Sequence, residues 1–287
     1  SYLSALGTPN YGYFAGGEPL LSTVDRIDFA SDTETASPKG ALNLGRHEMA
    51  STGNANFGYF GGGVTATPAY VTTVDRLDYS SDTSQASLKG PLSSGKGFYG
   101  ATGSNSYGYY GGGAPGGPGS TVDRIDYSND TASYTAMSNL PNAYMKLTAT
   151  SGQDNGQPAS TPSTPIVPAT RTEVSGTGSY AYGYWISGDG GGSRYHRVDF
   201  SNDTGTAGVR GNMERSRSRH AAVSSMNYAY VAGGFSNTNI SRIDYADDTA
   251  TATPKGNLLP ISGLSSPAGV DTIDYGYICG GETPSRV

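Results

Sequence analysis

Three histidines, a single cysteine and a recurring pair of aspartates are the residues of this chain best equipped for chemistry. His47, His196 and His220 fall in three separate parts of the chain, and one cysteine, Cys279, excludes an intrachain disulfide framework and leaves the redox compartment open. The aspartates come as Asp-Arg-x-Asp, at Asp25–Asp28, Asp75–Asp78 and Asp123–Asp126. Carboxylates arranged in a ring could hold calcium or a sugar. They could equally form a ladder of ion pairs, each Arg bonding a carboxylate next door. Later copies keep Arg197 with Asp199 and Arg242 with Asp244, while the fifth loses the first Asp to Ser241, so the pair persists while one position varies. That pattern favours the ladder.

Each Asp-Arg-x-Asp is followed by an aromatic residue and a turn, as in Ser80-Ser-Asp-Thr83, Ser128-Asn-Asp-Thr131 and Ser201-Asn-Asp-Thr204. Asp side chains bond nearby amides in such turns, which is structural work. Sequons at Asn129, Asn202 and Asn239 are candidate glycosylation sites, two of them inside the repeated turn. Departures from the repeat are the better place to seek recognition, because loops on a rigid scaffold usually carry it. Trp185, the only tryptophan, and Arg194, Tyr195 and His196 lie in one such departure, and an aromatic with polar neighbours suits a sugar or a protein partner. They are the candidate contact residues.

The elements that position these groups are read from the repeat itself. Asp28, Asp78 and Asp126 recur at a period of roughly 50 residues, the mark of a repeat architecture. Each unit holds a strand, a second strand such as Tyr107-Gly-Tyr-Tyr ending in glycines, a third strand with the Asp-Arg-x-Asp, the turn, and a weak fourth strand. The third strand alternates imperfectly: Val24, Ile27 and Phe29 do not share one parity, which predicts a bulge or a switch of facing near Arg26. Four short strands bounded by Gly and Pro match one blade of a β-propeller, whose faces are buried only by neighbouring blades. The chain therefore reads as one all-β propeller domain over residues 1–287, with blades at about 1–41, 42–91, 92–142, 143–211, 212–258 and a partial 259–287. A Pro/Ser/Thr-rich insert at 153–178 reads as an extended loop. The sixth unit stops after its second strand, Tyr275–Gly281, so either more of the same chain or another chain would complete the sheet.

A strand ending in Gly-Gly, a strand carrying an Asp-Tyr-like pair and a turn with Thr resemble the kelch repeat family, most closely in Met213–Val223 leading into Tyr230-Val-Ala-Gly-Gly234. These units carry Ala or Ser where kelch repeats have a tryptophan after the turn. The variant Phe57-Gly-Tyr-Phe-Gly-Gly-Gly63 with Thr73-Val-Asp-Arg-Leu-Asp-Tyr79 is similar to kelch-like arrays in structural proteins of marine cyanophages. The resemblance implies a kelch-like β-propeller serving as a virion component, a tail or fibre protein for adhesion or scaffolding, located on a virion or extracellular surface. Its partners would be other virion or fibre subunits and a cell-surface glycan. A subunit of an extracellular fibre or surface polymer is the alternative, and a carbohydrate-active enzyme a remoter one. Copper radical oxidases resemble kelch propellers too, but need two His and Tyr ligands with a Cys-linked Tyr at one metal; Cys279 stands where sister units carry Ala15, Gly61 and Gly111, as a small packing residue would.

Composition narrows the field further. A formal net charge of −6 with few charged residues gives no electrostatic footprint for nucleic acid. The one basic run, Arg215-Ser-Arg-Ser-Arg219, reads as a solvated or channel-facing strand. No segment approaches the ~18 consecutive apolar residues of a membrane span. The expectation is a binding or structural propeller with no catalytic residues, no metal, no cofactor, no nucleic acid and no membrane.

Overall fold

The structure, a computed structural model, describes residues 2–66, 69–113, 115, 118–151, 182–186, 188, 192–234, 237–258, 264–271 and 275–281. The predicted insert at 153–178 lies outside the described residues. Among the described residues, twenty-two strands form antiparallel sheets in sequence order. Blade 1 comprises β1 (Ser4–Gly7), β2 (Tyr11–Ala15), β3 (Val24–Asp28) and β4 (Ser37–Pro38). Blade 2 comprises β5 (Ala50–Gly53), β6 (Phe57–Gly61), β7 (Val74–Asp78) and β8 (Ser87–Leu88). Blade 3 holds β9 (Gly100–Gly103), β10 (Tyr107–Gly111), β11 (Gly119–Asp126) and β12 (Thr135–Tyr144). Blade 4 holds β13 (Thr148–Ser151), β14 (Tyr182–Ile186), β15 (Arg194–Asp199) and β16 (Gly208–Asn212). Blade 5 holds β17 (His220–Ser224), β18 (Tyr228–Gly233), β19 (Asn239–Asp244) and β20 (Thr253–Asn257). A two-stranded sixth sheet pairs β21 (Ala268–Asp271) with β22 (Gly276–Cys279).

The first strands of the six sheets stand side by side in a ring, β1 against β5, β5 against β9, β9 against β13, β13 against β17, β17 against β21, and β21 back against β1. The protein is a β-propeller. Five blades have four strands, and the ring closes through the two strands of the sixth that lie among the described residues.

Both faces of a blade are buried by its neighbours, and that explains the imperfect alternation of the third strand. The pairing of β2 with β3 is continuous from Tyr11↔Asp28 to Ala15↔Val24, so the bulge predicted near Arg26 does not form there. Apolar residues of both parities are useful when each face meets another sheet. In β7, for example, Val74 and Leu77 are both fully buried. Register shifts occur instead between third and fourth strands, at Val122/Asp123 and Ile240/Ser241.

Glycine sets the spacing between blades. The glycines ending the second strands, such as Gly16 and Gly17 at φ of 69° and 108°, adopt the left-handed turn expected from the sequence. The glycine inside Tyr-Gly-Tyr works differently. A Cβ on Gly58 would lie 2.7 Å from Leu6 of blade 1 and 2.9 Å from the Tyr79 hydroxyl, so only glycine admits this approach of two sheets.

The repeat's aspartates divide into three jobs. The last Asp of each Asp-Arg-x-Asp caps the following turn: Asp28, Asp78, Asp126, Asp199 and Asp244 each accept from the amide two residues on at 2.9 Å. The turn aspartate reaches back to the preceding blade. Asp82 accepts from Tyr13 Oη (3.0 Å) and Arg26 Nη1 (2.7 Å), and Asp130 from Tyr59 and Arg76 at 2.9 and 2.7 Å. Asp203 binds Tyr109 and Arg124 (both 2.8 Å), and Asp248 binds Tyr184 and Arg197 (2.9 and 2.7 Å). Each of these tyrosines also stacks on the aromatic residue beside the next blade's turn, with ring centroids 4.9–5.3 Å apart. Burial first, and then the adjacent carboxylate, push the phenol pKa values of Tyr13, Tyr59, Tyr109 and Tyr184 well up, so these phenols stay donors. The expected ladder between neighbouring blades is present, with the turn aspartate as its acceptor.

In blades 2 and 3 the first Asp pairs within its own blade. Asp75 meets Arg46 at 2.7 Å and Asp123 meets Lys96 at 3.2 Å, all four side chains essentially without solvent exposure.

Candidate functional site at the mouth of the central channel

Among the described residues, six non-glycine residues have positive φ: Tyr2, Glu48, Phe98, Lys146, Arg219 and Ser266, at 55–61°. Each stands one or two positions before the inner strand of its blade, so they are six copies of one structural position. The kink turns the incoming loop into the inner strand and aims successive amides around the axis. Glu48 N donates to Tyr2 O (3.1 Å), Lys146 N to Phe98 O (2.6 Å), Arg219 N to Lys146 O (3.1 Å) and Ser266 N to Arg219 O (2.8 Å). A left-handed conformation costs a side-chain-bearing residue about 1 kcal/mol or more, and glycine or asparagine is the usual occupant. None of the six is either. Strain kept at equivalent positions marks a place to look for function.

These residues line the central cavity, about 150 Å³, together with the starts of all six inner strands. Tyr2 and Phe98 meet edge to face with centroids 6.1 Å apart. Arg219 donates to the Tyr2 hydroxyl at 3.0 Å, and the Lys146 ammonium lies 5.6 Å from the Phe98 ring centre. Glu48 faces these cations with its side chain only 7% exposed, and its Oε2 is buried without a hydrogen-bond partner. Burial, helped by neighbouring Glu18, pushes its pKa up to about 7 against the pull of Arg219 and Lys146. His47 Nδ1 lies 3.3 Å from Glu48 Oε1, and burial lowers the imidazole pKa. From the mouth a groove of about 810 Å³ runs past Glu48, His47, Glu18, Phe98 and Tyr70. The arrangement offers ring faces for stacking, cations for an anion, and a carboxylate with one unpartnered oxygen for hydroxyls or a cation.

The contact residues expected from the sequence lie elsewhere, and three of them are interior. Trp185, Tyr195 and His196 are each 1% exposed, while Arg194 alone is on the surface. Trp185 fills the space over Gly111 of blade 3, where a Cβ would come 2.5 Å from its Nε1. Tyr195 donates to Ala250 O of blade 5 at 2.7 Å. His196 occupies the position of Asp75 and Asp123, and its partner Tyr144 occupies that of Arg46 and Lys96. A Tyr144–His196 hydrogen bond of 2.5 Å thus replaces the buried ion pair, and burial holds the histidine pKa down at about 4. In blade 5 the same position is Ser241, which contacts Arg217 at 2.5 Å, with Glu214 supplying the carboxylate. These departures are compensated core substitutions, so Trp185, Tyr195 and His196 present no exposed contact surface.

Asn129 and Asn202 are exposed at the turns, and Asn239 is half-buried in β19 between β18 and β20. The basic run splits three ways: Arg215 is exposed, Arg217 is buried, and Arg219 joins the mouth. His47 and Glu48 are at the mouth, while His220 is buried in the wall between blades 4 and 5, its Nε2 3.2 Å from Ile186 O. Among the described residues no group of three or more His, Cys, Asp or Glu side chains converges as a metal site requires.

Neither a scan against protein-family models nor a comparison with curated proteins finds a match to the chain.

Proposed function

We propose that the chain is a non-catalytic propeller that binds a partner at the channel mouth while its disc serves as a scaffold. One observation carries the reading. On six copies of one strained backbone position the chain places Tyr, Glu, Phe, Lys, Arg and Ser, all different, whereas the joints between blades repeat nearly unchanged. Uniform backbone with varied chemistry is what a recognition surface requires, and the joints supply the rigidity that holds it.

The partner that fits best is an acidic saccharide. A sugar ring would pack on Tyr2 or Phe98, its carboxylate would meet Arg219 and Lys146, and its hydroxyls would donate to Glu48. Further sugar units would follow the groove past His47 and Tyr70. The setting we infer is a virion or extracellular surface, as a tail or fibre component; its support is the likeness of the repeat motif to phage structural arrays, together with a fold suited to display.

A glycan array followed by calorimetry tests the reading. Binding of uronic- or sialic-acid-bearing oligosaccharides is expected, weakened about tenfold or more in Arg219→Ala and Lys146→Ala, and unchanged in Arg194→Ala. Binding that ignores the mouth variants, or no binding to any acidic glycan, would overturn it.

A further inference from the structure

The mouth is polarised across its axis. Lys146 and Arg219 stand before the inner strands of blades 4 and 5, while Glu48 stands before that of blade 2, opposite blade 5 in the ring. Arg219 is directed at Tyr2: it donates to the hydroxyl at 3.0 Å and lies 5.8 Å from the ring centre. Glu48 has an uncharged neighbour instead. Its Oε1 lies 3.3 Å from His47 Nδ1, and burial holds that imidazole pKa below its ordinary value, so the ring is neutral at pH 7. Its Oε2 is buried without a hydrogen-bond partner. A buried acceptor left unpaired is costly, so this position calls for a donor.

A second carboxylate stands on the same side. Glu18 Oε1 lies 4.0 Å from His47 Nε2, with its side chain 47% exposed to the groove. Backbone bonds anchor both acids. Gly17 N donates to Arg46 O at 3.0 Å, which ties the loop carrying Glu18 to the residue before His47. His47 and Val64 exchange two amide bonds, at 3.2 and 2.9 Å, beside Glu48. Aromatic rings complete the surroundings: the Tyr2 ring lies 5.9 Å from the His47 ring, and Phe98 and Tyr70 wall the groove.

Two kinds of donor could meet Glu48, and they differ in what they relieve. A hydroxyl donates one bond and leaves the repulsion between Glu48 and Glu18 as it was. An ammonium donates up to three bonds, offsets that repulsion, and is attracted by the ring faces. A metal ion fits less well, since among the described residues no three ligating side chains converge.

We infer that the mouth is built for a zwitterionic ligand, an amino sugar with a free ammonium joined to a carboxylate-bearing unit. The ammonium faces Glu48 within the field of Glu18, and the carboxylate meets Lys146 and Arg219. The inference rests on the acidic-saccharide reading and narrows it, giving Glu48 an ammonium where that reading gave it hydroxyls. Each ligand charge then meets its opposite, whereas a purely anionic chain would carry its next acidic unit against two carboxylates.

The probes are an oligosaccharide alternating glucuronic acid with N-acetylglucosamine, and the same oligosaccharide N-deacetylated to free glucosamine, compared by calorimetry at pH 6.5. The free amine is expected to bind at least about tenfold more tightly, the gain of one charge-assisted contact. Arg219→Ala should weaken both probes and keep their ratio, because it removes the carboxylate's partner. Glu48→Gln should bring the ratio close to one, and Glu18→Gln should lower it partway. A loss of fold would abolish both bindings rather than their ratio. Proton release gives a second readout. Burial and the field of Glu18 raise the Glu48 pKa to about 7 against the pull of Arg219 and Lys146, so an arriving ammonium forces its carboxyl to ionise. In buffers of different ionisation enthalpy, the amine probe should release about 0.5–0.8 proton more than the acetylated one, and this excess should vanish in Glu48→Gln. Equal affinity or equal proton release for the two probes would overturn the inference and leave the acidic-saccharide reading standing. Failure of both probes to bind would overturn the two together.

Discussion

Arg76 and Arg242 occupy the same position in the same motif, and the structure gives them different partners. Arg76 Nη1 lies 2.7 Å from Asp130 Oδ2, with side-chain exposures of 23% and 9%, and its guanidinium covers the Phe57 ring at 4.1 Å. Among the described residues Arg242 keeps only the ring, Tyr228, also at 4.1 Å. A hydrogen bond to a charged group contributes about 1.5–3 kcal/mol net. The partial exposure of Arg76, and the Lys89 ammonium that still serves Asp130 at 3.3 Å, place this one at the lower end, about 2 kcal/mol. The ring contact adds about 0.5–1 kcal/mol in both blades. Arg76→Ala should therefore cost about 2.5–3 kcal/mol and Arg242→Ala about 0.5–1 kcal/mol. Asp130→Ala should cost about 3–5 kcal/mol, since it strands Arg76 and the buried Tyr59 hydroxyl together. Urea unfolding followed by the fluorescence of Trp185, the sole tryptophan, measures all three. Equal losses for the two arginines would refute the assignment of stability to the joints.

Four other outcomes follow from the same contacts. His196→Asp should cost about 3–5 kcal/mol by burying an unpaired carboxylate, and adding Tyr144→Lys should recover at least half by recreating the Lys96–Asp123 pair, which a thermal or urea melt of single and double variants will show. Gly58→Ala should cost about 1–3 kcal/mol by overpacking against Leu6 and Tyr79, read from the same melts. Burial holds the His220 pKa down at about 3, so its neutral form stabilises the fold fully above the unfolded value near 6.5 and progressively less as pH falls toward 3. Asp271, raised to about 6 by burial, works in the opposite sense, so the test is a difference: the stability gap between the parent and His220→Gln should shrink by about 1.4 kcal/mol per pH unit below 6.5. Ser266→Gly should stabilise the protein by about 0.5–1 kcal/mol by relieving a positive φ at 55°, seen as a raised urea midpoint.

The blades were legible because their signals are local: glycine pairs after aromatic strands, an alternating third strand and a turn rich in Asp and Thr. The arginine–carboxylate ladder was legible as a pairing, but which aspartate it used was not. Each unit offers three, and only the stacking of blades separates the turn acceptor Asp82 from the cap Asp78 and the buried Asp75. The exchange of Asp and Lys for His196 and Tyr144 looked like a departure made for binding, because its two halves lie 52 residues apart. The mouth was invisible for a related reason. Six residues of different type at one backbone position leave no common letter to align, and Arg219 was hidden in a basic run whose three arginines face three environments.

The account stands on closure of the ring, since six loops form one mouth only if β21 lies against β1. Amide hydrogen exchange resolved to single strands tests this directly. The account predicts that β1 and β21 are protected as strongly as β5 and β9. Rapid exchange throughout β1 and β21, beside protected strands in blades 2 to 4, would show an open arc and contradict it.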